Sequence, residues 1–255
     1  SKTHFSDEEW SNRVNLAACY HLADHFQMTD IIWNHITSKT SKNKETFLIN
    51  KFGLRYNEIT ASNLLEIDLE GNVISGDGEI NYTGYVIHGA VHKAKENIHC
   101  VMHTHTRAGL AISCLKEGLK PIFQDAAIFH NRVSYHDWQG MSTEVEECKD
   151  IAKNLGNNKV MILRNHGLLT CGETIGEAFI LMYYLDKACK NQLDTMSTGL
   201  ETIVPSSNIM EYAAGQYEDP RFRLGKHEWP ALLRLLDDKK SIYKNKLILD
   251  FLKTF

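Results

Sequence analysis

The chain has 255 residues, of which 43% are hydrophobic and 24% charged, and a formal net charge of -4. This is enough chain for a sizeable core, and interspersed charge of both signs argues against nucleic acid or an anionic membrane surface as partner. No apolar run reaches the length of a membrane span, and the start, SKTHFSDEEW, lacks a basic-then-apolar leader pattern, so a cytoplasmic protein is expected.

In chain order, Ser6 and Glu9 form a capping-box pattern, and Trp10, Val14, Ala17, Ala18 and Leu22 recur on one face, which predicts a first helix. TDIIWNHITSK reads as a short strand and turn, and ETFLINKFGL as a strand broken at Gly53. NLLEIDLEGNV reads as a strand entering a hairpin at EGN. Thr83 is the expected cap of a helix carrying Ile87, Ala90, Val91 and Ala94. IHCVMHTH follows as a strand, and Thr106 opens a helix that stops near Gly118. IFQDAAIF and RVSYHD read as strands. Thr143 and Glu146 box a helix ending at Gly156, and KVMILRNHGLLTCG reads as strand, turn and return strand. Thr174 and Glu177 box a long helix reaching about residue 195.

The alternation runs without a linker from 1 to about 200, which predicts one α/β domain over residues 1–200. Residues 201–255 are expected to form an extension packed on or next to it in the same structural unit. Within that extension, 200–225 reads as an extended crossing segment. HEWPALLRLLDDK reads as a helix with Pro230 in its first turn, and KLILDFLKTF as helix or strand. The six cysteines, Cys19, Cys100, Cys114, Cys148, Cys171 and Cys189, form no C-x-x-C pair and are expected to be reduced.

The chemistry-bearing feature is CVMHTHTRAG. Residues i and i+2 of a strand share a face, which sets His103 and His105 about 6–7 Å apart along it. Two imidazoles so placed can converge on one ion, and a catalytic zinc-type site needs a third protein ligand and an open position. His166 in LRNHGLL is the candidate third ligand, because Gly167 permits a tight turn after an apolar strand. On the residues alone, H-x-H on a strand is more often a structural pair than a metal site, and N-H-G is a weaker signal still. His21 and His25 are expected in packing and surface roles, His88 and His92 on a solvated helix face, and His136 as a hydrogen-bonded structural residue.

With HTH, LRNHG and GEAFILMYYLDKACKNQ in this order, the chain resembles the class II aldolase/adducin family over roughly residues 10–200. Through IIWNHITSK, FLINKFGL, NYTGYVIHGAVHKA, VSYHDWQG, ILRNHGLLTCGE and HEWPALLRLLDDK it is most similar to the adducin head branch. The resemblance implies a three-layer α/β/α sandwich around a mainly antiparallel sheet, and homo-tetramers with sites between subunits. It implies a divalent ion, zinc foremost, on His103, His105 and His166. That ion would polarise a small sugar-phosphate-like substrate and stabilise an enediolate, the chemistry of a carbon–carbon lyase.

The family's catalytic carboxylate falls on Gly84, which has no side chain to ligate or to move a proton. The phosphate-binding positions fall on Trp33-Asn34, Phe52-Gly53 and Tyr82-Thr83, where Asn34, Gly53 and Thr83 retain donors and Phe52 puts a ring in place of a hydroxyl. Asp125 falls where a fuculose-phosphate aldolase carries a tyrosine that reaches a neighbouring subunit's site, and is a candidate substitute acid. An interface hydrogen bond or a helix cap is the alternative role for it. The adducin likeness implies instead a non-catalytic oligomerisation and actin-binding module. A metal-stabilised oligomer without substrate is a third reading.

Overall fold

The computed structural model describes residues 5–140, 145–239 and 242–244. Its centre is an eight-stranded sheet built from β1 (His35–Lys39), β2 (Phe47–Ile49), β3 (Leu65–Ile67), β4 (Val73–Ser75), β5 (Cys100–Thr104), β6 (Val133–His136), β7 (Val160–Leu163) and β8 (Gly167–Gly172). The spatial order is β4-β3-β2-β1-β5-β8-β7-β6. Only the β6–β7 pair is parallel; the other neighbours run antiparallel.

Strand alternation gives the sheet two cores. On one face Met102, Ile162 and Leu168 pack with α1 (Asp7–His25) and α5 (Ile175–Ser197) through Leu16, Leu22, Phe179 and Leu185. On the other, Val101, Met161, Leu163 and Leu169 pack with α2 (Tyr82–Ala94) and α4 (Val145–Leu155) through Ile87, Val91 and Ile151. The result is an α/β/α sandwich with a mainly antiparallel sheet, as expected. Ser6 caps α1, its hydroxyl accepting from the Glu9 amide at 3.2 Å, and Thr174 caps α5 in the same way at 3.0 Å.

The remaining helices are α3 (Arg107–Ser113), α6 (Ser207–Tyr217) and α7 (Glu228–Asp238). The α7 helix returns to the first layer, where the Trp229 indole donates to Asn15 Oδ1 at 2.8 Å.

Several sequence expectations are corrected. IFQDAAIF is not a strand: Gln124–Phe129 is a 3-10 helix whose apolar residues are buried. The crossing segment is not extended throughout, since α6 occupies part of it. Asn81, not Thr83, sits at the cap position of α2, and Thr83 lies inside its first turn. His88 and His92 are not solvated; they are 0% and 5% exposed. Their helix face lies over β1, and the Thr37 hydroxyl stands 2.7 Å from His88 Nδ1 and 2.8 Å from His92 Nε2. Thr143 and KLILDFLKTF lie outside the described residues.

Candidate metal centre

His103 lies on the second face of the fully buried β5, with His35 of β1 and Leu169 of β8 as its register partners. His105 follows the strand end, and its ring comes back beside that of His103, with the two Nε2 atoms 2.9 Å apart. His166 enters from the β7–β8 turn. Asn165 before it takes a left-handed φ of 56°, a conformation asparagine tolerates. Gly167 after it is required by close approach: a Cβ there would meet the Thr104 carbonyl oxygen at 2.4 Å and His103 Cε1 at 3.4 Å, at a φ of +158°. The ring centroids of the three histidines are 4.7, 4.8 and 5.0 Å apart, and one ligand nitrogen from each falls within 4.8 Å of the others.

The hydrogen bonds fix which nitrogens face inward. His103 Nδ1 is 2.9 Å from the Leu168 carbonyl oxygen, which only accepts, so Nδ1 carries the proton. His105 Nδ1 donates to Asp30 Oδ2, also at 2.9 Å. The Nε2 atoms of the two rings then both point inward, 2.9 Å apart. A cation beside them would be within reach of both. Carboxylate- or carbonyl-buttressed imidazole is the usual arrangement around a ligating histidine. Burial, reinforced by the neighbouring rings of His166 and His105, holds His103 well below the ordinary histidine range. Burial and His105 likewise bring His166 down to about 4. The His103 and His166 rings are therefore in the neutral form a dication needs at neutral pH, and the donor set fits a zinc-type ion.

The cavity in front of these rings measures about 380 Å³ and is lined by Asp30, Trp33, His35, Asn81, Gly84, Ile87, His103, His105, Leu110, Trp138, Gly140, Asn165 and His166. Gly84 faces a filled space. A Cβ on it would lie 1.9 Å from His35 Cε1, with both ring nitrogens within 2.5 Å. His35 is 2% exposed, and neither of its ring nitrogens has a well-formed hydrogen bond; the Trp33 and Gly84 backbones are the polar groups nearest it. Burial brings this ring down to about 4. It packs 4.4 Å from His88 and 5.7 Å from His103, centroid to centroid.

Asn34 is buried behind the site. Its Oδ1 accepts from the His105 amide at 3.4 Å, and its Nδ2 has no partner. Gly53 makes a turn at φ +93°, with nothing within 4 Å of a would-be Cβ, and the Phe52 ring beside it packs at a tilt against Trp33, centroids 5.6 Å apart. Thr83 is in the first turn of α2. Asp125 sits on the 3-10 helix, ion-paired to Lys187 at 2.5 Å, and does not line this cavity. Sequence reasoning missed Asp30, His35 and the cavity role of Trp138. A larger cleft elsewhere carries Lys159, Arg132 and Arg223, but each is ion-paired to glutamates.

The model of the Class II Aldolase and Adducin N-terminal domain matches residues 14–193. A solved aldolase II superfamily protein from Pseudomonas syringae is 39% identical, superposes with a TM-score of 0.89, and is covered over 94% of this chain and 97% of that one. L-fuculose 1-phosphate aldolase from Glaciozyma antarctica PI12 is 26% identical, with a TM-score of 0.83 and 96% of both chains covered. Alpha-adducin of Rattus norvegicus is 38% identical over 242 residues, which is 89% of this chain and 33% of the adducin. The chain therefore spans about a third of the length of that relative.

Proposed function

Since the chain belongs to the class II aldolase and adducin family, we propose that it is a divalent-metal protein, zinc foremost, acting on a small oxygenated substrate with the chemistry of a carbon–carbon lyase. The observation that carries this reading is the convergence of His103, His105 and His166, with the Nε2 atoms of the first two 2.9 Å apart and their Nδ1 atoms bonded to the Leu168 carbonyl and Asp30. A dication held there supplies Lewis acidity to a substrate oxygen. His103, His105 and His166 hold it, and Asp30 and the Leu168 carbonyl orient two of those rings. Asn34, Gly53 and Thr83 are kept as the proposed substrate- or phosphate-binding positions that the resemblance implies.

Gly84 removes the carboxylate that the resemblance leads one to expect, so a proton carrier must come from elsewhere. Asp125 of a neighbouring copy is the candidate in a homo-tetramer, and its half-buried position beside Lys187 keeps it available to an interface. Residues 201–255 are read as part of the same unit, supported by the Trp229–Asn15 bond.

The test is metal content after purification without a nickel column, together with thermal melts with and without chelator. Zinc uptake near one ion per chain, and a melting temperature that zinc raises in the parent protein but not in His103→Ala, are expected. An ion bound equally by His103→Ala overturns the site.

The second reading is a non-catalytic assembly module, favoured by the 38% identity to alpha-adducin. Its actin partnership is tested by co-sedimentation with filaments at physiological salt. A cytoplasmic setting suits both readings, and no helix among the described residues is long and apolar enough to cross a membrane.

A further inference from the structure

Among the described residues, none completes the hydrogen bonding of His35. The side chain is 2% exposed, and neither ring nitrogen makes a hydrogen bond of good geometry. A buried polar group left in that state is uncommon and asks for a reason. The ring lines the same cavity as His103, His105 and His166. It stands 5.7 Å from the His103 ring, centroid to centroid, because β1 pairs with β5 and sets the two residues opposite each other.

The surroundings leave this ring one polar direction. Its backbone is pinned in the sheet, since His35 pairs with His103 and the Tyr20 hydroxyl bonds both the amide and the carbonyl of Ile36, at 2.8 and 2.5 Å. On one side Gly84 closes against it, so near that a Cβ there would overlap its Cε1. On another the His88 ring packs at 4.4 Å. His88 turns its Nδ1 to the Thr37 hydroxyl, and its Nε2 bonds no described group, so the two rings do not serve each other. The cavity in front of the three histidines is what remains.

A leucine at position 35 would fill similar space with no unmade hydrogen bond. A neutral imidazole instead brings one N–H and one bare nitrogen, an uncharged donor and acceptor. They stand beside a place where a dication would draw in an oxygen ligand.

We infer that His35 is a ligand-contacting residue of this centre, its ring hydrogen-bonding an oxygen of a small hydroxy-carbonyl ligand from the space that a side chain at position 84 would need. This rests on the reading above that the three histidines hold a dication. It gives His35 a binding role beyond packing.

The experiment is calorimetric titration of the zinc-loaded protein with acetohydroxamate, a phosphate-free chelator with two neighbouring oxygens. The parent, His35→Leu and His35→Gln are compared, with the zinc affinity of each measured by chelator competition. Leucine and glutamine differ little in bulk, so the difference between them reads polarity rather than packing. His35→Leu is expected to bind acetohydroxamate about tenfold more weakly than the parent, about 1.4 kcal/mol, with zinc affinity unchanged. His35→Gln keeps a donor and an acceptor and is expected to recover most of the loss. If melting shows that His35→Leu does not fold, His35→Phe takes its place with the same expectations.

Equal affinity of the parent and His35→Leu for acetohydroxamate overturns the inference. So does an equal loss in the leucine and glutamine variants, which marks a packing role, or a loss that only follows a fall in zinc affinity. A zinc-loaded parent that binds no acetohydroxamate overturns it as well. If no dication binds through His103, this inference and the reading above fall together. If zinc binds through His103 and any of the other results is found, this one alone falls.

Discussion

His103 Nδ1 lies 2.9 Å from the carbonyl oxygen of Leu168, so the strand carrying the first ligand is oriented by the strand that follows the third. The two ligand segments meet because β5 and β8 are register neighbours, with Thr104 opposite Leu168. Gly167 makes that meeting possible. Gly167→Ala puts a Cβ 2.4 Å from the Thr104 carbonyl oxygen in a backbone conformation that favours glycine. A loss of about 1–3 kcal/mol in urea unfolding is expected. Because the shift displaces both ligand segments, zinc affinity should fall in the same variant.

Asp30 is expected to act on the metal through His105 alone. Its carboxylate holds the imidazole proton at Nδ1, 2.9 Å away, and is itself 41% exposed. Asp30→Asn should leave the unfolding midpoint of the metal-free protein near its original value and weaken zinc by about 10–100-fold. Competition against a chromophoric chelator measures this. Equal zinc affinity in the two proteins would remove Asp30 from the site.

His35 and Gly84 should be energetically coupled. Gly84→Ala forces a Cβ to 1.9 Å from His35 Cε1, an overpacking expected to cost about 1–3 kcal/mol. In a His35→Ala background those three contacts are removed, and the cost should fall. A double-mutant cycle in urea is expected to return a coupling of at least about 1 kcal/mol.

Stability should fall with acid, and the buried polar column under α2 is one cause. Burial brings His92 from 6.5 down to about 3 and lowers His88 well below its ordinary value. The unfolded chain takes up protons on these histidines below about pH 6.5, while the folded protein does not. Unfolding is therefore favoured as pH drops from 6.5 toward 3, by about 1.4 kcal/mol per pH unit for each ring. Above pH 6.5 these two rings contribute no slope. Urea midpoints at pH 7, 6 and 5 should show the decline, and His92→Gln should flatten it.

Asp125→Asn tests the proposed acid from a neighbouring copy. The change also breaks the Lys187 pair, which is partly exposed and worth little to stability. Turnover lost with zinc retained supports the role. Turnover and zinc both unchanged remove it.

The three-histidine cluster was legible because the i, i+2 spacing and the strand-turn-glycine pattern are local signals. Asp30 and His35 were not. Asp30 matters through one bond to His105, and His35 matters because β1 pairs with β5 so that it lies opposite His103. That pairing is written nowhere in the sequence. His88 and His92 were misplaced because the lysines after them suggested solvent, whereas the helix face is set by Thr37 across the sheet. The apolar run 122–129 has no period that separates strand from buried helix, and α5 and α6 decide it.

The interlock between His35 and Gly84 also bears on ancestry. An acid introduced at position 84 beside this imidazole is expected to be costly, because its Cβ meets a buried ring at the start of a helix. Shrinking residue 35 alone is expected to open a hole next to the strand that carries His103. Relatives are therefore expected to keep both residues or to differ at both together.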